Sequence, residues 1–346
     1  MGVSVHDVGQ VTYAEAGRLL GAAWGADACS LFGLRWRAAR RASRIRRASE
    51  RAALARAHLE PLAAFDPGVH AELVAFAAEA GLEPWQLVAL GGIDDLEDIG
   101  ASLGGCSALY APLPDGPALA QTWDLPALYA PFLRVVRLQP PDGPPAVLLT
   151  LTGSPALCGM NAYGVGVCVN DLTASDSRVG VIWPAILRRM LLCTSAVEAT
   201  EVLRDAPRCG GRAWLVADAK ASFAFEATAT RITQVHADPK AAFWHTNHYV
   251  DPDLRRYQLP LPVASTSPER YQALSRWLVR TPTDQGALWF GLGRLDPARI
   301  RPPVDPDDPW TVRTVGGVLF DLRNHRVLAH AGPMDRSSPT VIDVHP

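Results

Sequence analysis

The sequence has no long apolar run, no large excess of charge and no basic leader, and each absence excludes a class of protein. No stretch reaches 18 consecutive apolar residues, so we expect no membrane span. A formal net charge of −2 over 346 residues gives no reason to expect nucleic acid as a partner. The first residues lack a basic segment followed by an apolar one, so we expect no signal peptide. Together these features are typical of a cytoplasmic globular protein.

The cysteines are few and show no C-x-x-C pair and no metal-ligand spacing, so we expect no metal site built from them. Cys106 stands out, because two glycines precede it and a strand-like pattern follows it. Glycine lets the backbone adopt unusual conformations and lets other groups approach closely. The other five are expected to be buried free thiols, which is the ordinary state in a reducing compartment: Cys29, Cys158, Cys168, Cys193 and Cys209.

The periodicity of the apolar residues changes at Cys106. Before it, "TYAEAGRLLGAAWGADACSLF" and "HAELVAFAAEAGLEPWQLVALGGI" have helical spacing. After it, "CSALYAPL" and "PALAQTWDL" alternate as strands do, and "PDGP" between them predicts a hairpin turn. Helices return near residue 183 and strands near residue 212. This order predicts an α+β fold in which two sheets are covered by helices, with a helical segment over residues 1–105 and a core over residues 106–346 that form one compact unit.

Several polar clusters have two readings. The arginine-rich stretch 35–51 forms either a solvated helix face or a surface for an anionic partner. The acidic stretch of Asp94, Asp95, Glu97 and Asp98 lacks the spacing of a calcium loop, which favours a solvated turn over a cation site. His245 and His248 are three residues apart in a strand-like stretch, and positions i and i+3 of a strand face opposite sides, so we expect structural histidines rather than metal ligands. "VASTSPERY" predicts a helix cap before Pro268.

A cysteine nucleophile needs a base, and the sequence offers no histidine close to Cys106 except His58 and His70 in the helical part. Cleavage of the Gly105–Cys106 bond would supply one, because the freed α-amine of Cys106 would have a pKa of about 7.7–8.0. That amine would belong to the same residue as the thiol.

Four motifs in order carry a family resemblance: Gly-Cys-Ser at residue 105, "QTWD" at 121–124, "GMNAYGVGVCVN" at 159–170 and "HTNH" at 245–248. In these motifs the chain resembles the peptidase C45 family, the acyl-CoA:6-aminopenicillanic acid acyltransferase group of N-terminal nucleophile hydrolases. The resemblance implies a four-layer αββα fold and self-cleavage between Gly105 and Cys106. It implies that Cys106 is the nucleophile, that Asp124 orients its α-amine, and that Asn170 and Asn247 donate hydrogen bonds to the oxyanion.

Two positions depart from the family pattern: Thr122 stands where asparagine is usual, and Ala162 where glutamate is usual. Candidates for substrate contacts are Arg313, Thr314 and Trp123. Known activities in the family include acyl transfer to a β-lactam nucleus and hydrolysis of β-alanyl amines, so the direction of the reaction and a role in natural-product metabolism stay open.

The expected partners are a small amide, an amine or an acyl thioester, with the two cleavage fragments remaining associated. No cofactor or metal is implied, and an acyl-CoA would be a substrate. The alternative is a member of the family that does not cleave or does not turn over, and that binds a small molecule or an anionic partner.

Overall fold

The computed structural model describes residues 3–42, 47–92, 104–279, 282, 284–334 and 338–345; the side chains of residues 39–42 are not part of that description. The acidic stretch 94–98 lies outside the described residues, as do Arg44 and Arg46 of the arginine-rich stretch and the side chains of Arg40 and Arg41. Arg35 is described, and its guanidinium donates a hydrogen bond to the carbonyl of Leu90 (2.8 Å), which gives this arginine a place inside the fold.

The N-terminal segment contains one strand and five helices in the part that the structure describes. Asp66 caps the fourth helix by accepting a hydrogen bond from the amide of Val69 (2.9 Å). Gly81 ends that helix in the left-handed conformation (φ 68°), and Pro84 begins the next one. The stretch 70–93 is therefore two helices rather than one. The elements are β1 (Val5–Gln10), α1 (Tyr13–Ala42), α2 (Ala48–Ala57), α3 (Leu59–Phe65), α4 (Pro67–Ala80) and α5 (Pro84–Gly91).

The rest of the chain forms thirteen strands and five further α-helices among the described residues. The strands are β2 (Gly105–Leu113), β3 (Gly116–Pro126), β4 (Leu133–Gln139), β5 (Ala146–Leu151), β6 (Cys158–Asn161), β7 (Gly166–Asp171), β8 (Arg212–Ala217), β9 (Ser222–Ala227), β10 (Ile232–His236), β11 (Phe243–His245), β12 (Val312–Asp321), β13 (Arg326–Ala331) and β14 (Thr340–Asp343). The helices are α6 (Trp183–Met190), α7 (Ala196–Asp205), α8 (Ser267–Leu278), α9 (Gln285–Leu292) and α10 (Pro297–Ile300). Short 3-10 turns occupy Ala127–Phe132, Arg255–Tyr257 and Gly293–Leu295.

The strands form two sheets that pack face to face between helices. The eight-stranded sheet has the order β1-β4-β5-β6-β7-β8-β9-β10, and the six-stranded sheet has the order β11-β2-β3-β12-β13-β14. Helices α1 and α4 cover the outer face of the eight-stranded sheet, whereas α8 and α9 pack on the outer face of the other sheet. The predicted αββα layering is confirmed.

Strand β2 shows how the alternation places the side chains. Cys106 lies in the core between the two sheets together with Ala108 and Tyr110. Leu109 and Ala111 face the other way, into the core beneath α8 and α9. Both faces are buried, so the strand is apolar throughout, and the side chain at position 106 points into the space between the sheets.

The N-terminal segment is not purely helical, which corrects the sequence-based description. Strand β1 pairs in parallel with β4 and forms the edge of the eight-stranded sheet. Only Val8 of β1 is buried, so the strand lacks the apolar alternation that predicts one. Among the described residues, no single helix is long and apolar enough to cross a membrane; α4 and α5 meet that criterion only as a pair, with a bend of 111° between them.

Candidate active site

Cys106 lies at the start of β2 and is almost completely buried. Its neighbour across the sheet is Trp123 of β3, and Gly105 pairs with Asp124. Because adjacent residues of a strand face opposite sides, the thiol of Cys106 points between the sheets while the carboxyl group of Asp124 lies on the helix side.

Two asparagine amides donate hydrogen bonds to the sulfur. Asn170 Nδ2 lies 3.1 Å from Cys106 Sγ, and Asn247 Nδ2 lies 3.3 Å from it. Asn170 comes from β7 of the opposite sheet and also donates to the Cys106 carbonyl (3.1 Å). Asn247 follows β11, and its Oδ1 accepts the backbone N–H of Cys106 (2.9 Å). The two predicted oxyanion donors therefore meet at the predicted nucleophile, although they are distant in sequence.

Asn247 is held by the beginning of α8. Its backbone N–H donates to Ser267 Oγ (2.7 Å), and Nδ1 of His248 shares that hydroxyl (2.8 Å). The hydroxyl group of Ser267 is therefore occupied by Asn247. The predicted start of the helix before Pro268 is confirmed, with Thr266 at the cap position. Thr266 makes no capping bond, because its hydroxyl group accepts a hydrogen bond from Arg270 Nε (3.1 Å).

The two histidines of the "HTNH" stretch have separate partners. Nε2 of His245 lies 2.7 Å from Oε1 of the buried Glu226, and its Nδ1 lies 2.8 Å from the carbonyl oxygen of Thr246. Burial opposes the charge of Glu226, but hydrogen bonds from His245 and from the amide of Val250 outweigh burial and lower the pKa of the carboxyl group. Burial lowers the pKa of His248 to about 4, so this ring is neutral at pH 7. These contacts give both histidines structural roles.

Asp124 is completely buried, and one of its oxygens has no hydrogen-bond donor among the described residues. Oδ1 accepts a hydrogen bond from Thr314 Oγ1 (2.8 Å), and Oδ2 is the oxygen without a donor. The nearest cation is Arg270, whose Nη1 lies 3.7 Å from Oδ2. Burial raises the pKa of Asp124 to about 6; Arg270 and Thr314 counteract this rise, and the nearby Asp296 adds to it.

Arg270 of α8 is a site residue that the sequence analysis missed. Its Nη1 donates to the Cys106 carbonyl (2.6 Å) and to Ser107 Oγ (2.9 Å), and its Nη2 donates to Asn247 Oδ1 (2.7 Å). A signal for it exists in the sequence, because the buried stripe of α8 contains Ser267, Arg270, Leu274 and Leu278. An arginine in an otherwise buried stripe of a helix needs a polar partner inside the fold.

The two glycines before Cys106 are needed because other groups approach the backbone closely. A Cβ atom at Gly105 would lie 2.7 Å from Arg270 Nη2 and 2.9 Å from Asn247 Oδ1. A Cβ atom at Gly104 would lie 2.7 Å from the carbonyl oxygen of Asp124. Side chains at these positions would therefore displace the groups that surround the Gly105–Cys106 peptide bond.

A cavity of about 370 Å³ opens beside this peptide bond. Gly104, Gly105, Asn247 and Arg270 form its polar end. The remaining wall is largely apolar and comes from two proline-containing loops and the start of β12: Leu261, Pro262, Pro302, Pro303, Val304, Trp310 and Val312. This volume and this mixture of groups are typical of a small-molecule site.

The candidates for substrate contacts lie in different places. Thr314 touches Asp124, as described above. Arg313 precedes it in β12, and its Nη2 donates to the carbonyl of Pro306 (3.0 Å). Trp123 is buried between the sheets, with its ring stacked on Trp183 at 6.0 Å between centroids. The structure thus brings Thr314 to the catalytic candidates and places Arg313 and Trp123 outside the residues that line the cavity.

The arrangement suits acyl chemistry at sulfur, with the thiol held protonated in the intact chain. Burial raises the pKa of the Cys106 thiol, and the hydrogen bond from Asn247 and the charge of Arg270 offset only part of that effect. Two amide donors at the sulfur lie where negative charge would develop on an acyl oxygen next to it. Nucleophilic attack therefore requires a base.

Comparison with known proteins supports the same chemistry. The family described as acyl-coenzyme A:6-aminopenicillanic acid acyl-transferase matches residues 114–285, just under half of the chain. That range includes Asp124, Asn170, Asn247 and Arg270 and begins after Cys106. No curated protein matches the chain in sequence.

Two solved structures of the conjugated bile acid hydrolase from Clostridium perfringens, both of mutant forms, are similar in fold. Each has a TM-score of 0.51 and 11% sequence identity, and each match covers 69% of this chain and 92% of the hydrolase. Penicillin V acylase from Agrobacterium tumefaciens matches with a TM-score of 0.39 and 14% identity, covering 68% of this chain and 84% of the acylase. The resemblance predicted from the sequence is confirmed: residues 114–285 match the family described as acyl-coenzyme A:6-aminopenicillanic acid acyl-transferase, and the fold is similar to that of the conjugated bile acid hydrolase.

Proposed function

We propose that the chain cleaves itself between Gly105 and Cys106 and then transfers or hydrolyses the acyl group of a small amide or thioester. The observation that carries the proposal is the environment of Cys106. Its sulfur accepts hydrogen bonds from two amide groups, and its backbone N–H donates to Asn247 Oδ1. Asp124, which pairs with Gly105 across the sheet, has one buried carboxylate oxygen without a donor among the described residues. A new α-ammonium group at Cys106 would supply the donor that Asp124 Oδ2 lacks.

The cleavage step would begin with attack of Cys106 Sγ on the carbonyl carbon of Gly105. A thioester forms, the C–N bond breaks, and the nitrogen leaves as the α-amine of Cys106 after gaining the proton of the thiol. Water then hydrolyses the thioester, which releases the Gly105 carboxylate and restores the thiol. The amide groups of Asn170 and Asn247 would stabilise charge on the acyl oxygen.

In the mature enzyme the α-amine would serve as the base. It would take the proton of the thiol, the thiolate would attack the acyl carbonyl of the substrate, and the ammonium group would return the proton to the leaving amine or thiol. An amine or water would then resolve the acyl-enzyme. These steps use only groups of the chain itself, so an acyl-CoA would be consumed as a substrate rather than retained as a cofactor.

The fragments of residues 1–105 and 106–346 would stay associated after cleavage. Strand β1 belongs to the eight-stranded sheet through its pairing with β4. Glu72 of α4 forms a buried, two-bonded ion pair with Arg188 of α6, with distances of 2.9 and 2.8 Å. Separating the fragments would expose a sheet edge and leave this ion pair without its partner, which is costly for buried charges.

Intact mass spectrometry under denaturing conditions tests the proposal. The wild-type protein is expected to give two species of 105 and 241 residues (346 − 105) that co-elute in native size-exclusion chromatography. Cys106→Ala should give one uncleaved species that does not form an acyl-enzyme with an activated thioester. Cys209→Ala is the matched control, since Cys209 is also buried but its sulfur contacts the carbonyl of Val181. A cleaving, acyl-accepting Cys106→Ala protein would refute the nucleophile.

A further inference from the structure

Asp296 links the wall of the cavity to the candidate catalytic carboxylate. It precedes α10 and is buried. Its Oδ1 accepts the backbone N–H of Ala298 (3.0 Å) and the backbone N–H of Thr314 (3.2 Å). The hydroxyl group of the same Thr314 donates to Asp124 Oδ1 (2.8 Å). One threonine therefore joins the two carboxyl groups.

The other end of this connection reaches the place where a substrate would bind. Asp296 caps the short helix that begins at Pro297, and Pro297 lines the cavity together with Pro302 and Pro303 beyond it. The bond to Ala298 sets the direction of this segment, whereas the bond to Thr314 ties it to β12. The side chain of Asp296 is thus connected both to the wall of the cavity and, through Thr314, to Asp124.

Charge provides an independent link between the two carboxyl groups. Two charged groups face Asp124 among the described residues: Arg270 of α8 and Asp296 beside α10. Arg270 favours the ionised form of Asp124, and Asp296 disfavours it because like charges repel. Removing the charge of Asp296 while keeping its shape should therefore change the protonation of Asp124 without moving it.

We propose that Asp296 is a positioning residue for the acyl reaction: through Thr314 it orients Asp124, and through the helix that it caps it holds the wall of the cavity. This inference rests on the proposed function. Asp296 acts on the reaction only through Asp124 and the wall of the cavity.

The test compares Asp296→Asn with Asp296→Ala. Asparagine is also a good capping residue, and its side-chain oxygen can accept both backbone hydrogen bonds, so this substitution removes only the charge. Alanine removes the charge and both hydrogen bonds. In the uncleaved Cys106→Ala background, the Asp124 carboxyl signal is titrated by ¹³C NMR and assigned by its loss in Asp124→Asn. Asp296→Asn should move its midpoint to lower pH by about one pH unit.

Turnover provides the second measurement. Asp296→Asn should shift the acid limb of the pH profile of kcat to lower pH and leave KM unchanged. Asp296→Ala should reduce kcat by about tenfold and raise KM, because it removes a buried hydrogen-bond partner. Asp284→Asn is the control, because Asp284 caps α9 through Ala287. An unchanged Asp124 midpoint in a folded Asp296→Asn protein would overturn the inference. Failure of the wild type to cleave would count against the proposed function alone, since the NMR titration uses the uncleaved chain.

Discussion

We expect Asp124 to weaken the fold at neutral pH, by an amount that follows from its burial. Burial raises its pKa from 3.8 to about 6, against the attraction of Arg270. The folded chain therefore binds this proton more tightly than the unfolded chain does. A carboxyl group of this kind makes folding less favourable as pH rises through the interval between the two values, here from about 4 to about 6.

The magnitude comes from the gap of about two pH units, each worth 1.36 kcal/mol, which gives about 3 kcal/mol for a fully buried group. In the uncleaved Cys106→Ala background, we expect the free energy of unfolding with Asp124 to fall by about 2 kcal/mol of this total, relative to Asp124→Asn, between pH 4 and pH 6, and by the rest outside that interval. The asparagine variant does not titrate, so any cost of its amide group is the same at every pH.

Urea denaturation at pH 4, 5, 6 and 7, followed by tryptophan fluorescence, measures both curves. Asp321→Asn is the matched control, because Asp321 is equally buried but its hydrogen bonds from Gln285, Asn324 and Arg326 outweigh burial and lower its pKa. Asp321 therefore stabilises the fold above its unfolded pKa, and its substitution should be destabilising at pH 7 and less so in acid. Parallel curves for the Asp124 chain and its Asp124→Asn variant would refute the reasoning.

Two further substitutions test the surroundings of the Gly105–Cys106 bond. Arg270→Lys replaces the planar guanidinium group by a single ammonium group, which cannot donate to all of the acceptors that Arg270 contacts. We therefore expect kcat to fall by about 10²-fold in steady-state assays. An effect no larger than that of Arg276→Lys, on the exposed side of α8, would contradict this role. Gly105→Ala should slow self-cleavage on a denaturing gel because its Cβ would lie 2.7 Å from Arg270, whereas Gly33→Ala, whose Cβ would meet nothing closer than 3.8 Å, should cleave at the wild-type rate.

The strands around Cys106 were predictable because burial on alternate faces leaves a pattern of period two. The stretch "CSALYAPL" became β2, and "PALAQTWDL" lies in β3, with the turn at the predicted place. Strand β1 escaped prediction because it is an edge strand with one buried residue, so it carries almost no pattern. Its pairing with β4, more than 120 residues away, comes from tertiary packing.

The roles around the nucleophile were harder to predict than the nucleophile itself. Asn161 ends β6, and its side-chain amide donates to the carbonyls of Leu191 (2.9 Å) and Cys193 (2.7 Å), which the sequence motif alone does not show. Arg270 was missed because 164 residues separate it from Cys106. Local spacing can show that a buried arginine needs a partner, but only the packing of α8 on β2 shows which partner it has.

The contacts of the uncleaved chain explain why glycine precedes Cys106. In the structure, the guanidinium group of Arg270 and the amide of Asn247 lie so close to Gly105 that a side chain there would displace them. The cavity ends at the same residue, and the thiol lies on the far side of the peptide bond. Under the proposed mechanism, the Gly105 carbonyl is the first acyl group that Cys106 attacks, and its departure would connect the cavity with the thiol. The residues that position the peptide bond for cleavage would then position the substrate, so that substitutions of Asn247 or Arg270 should impair both reactions together.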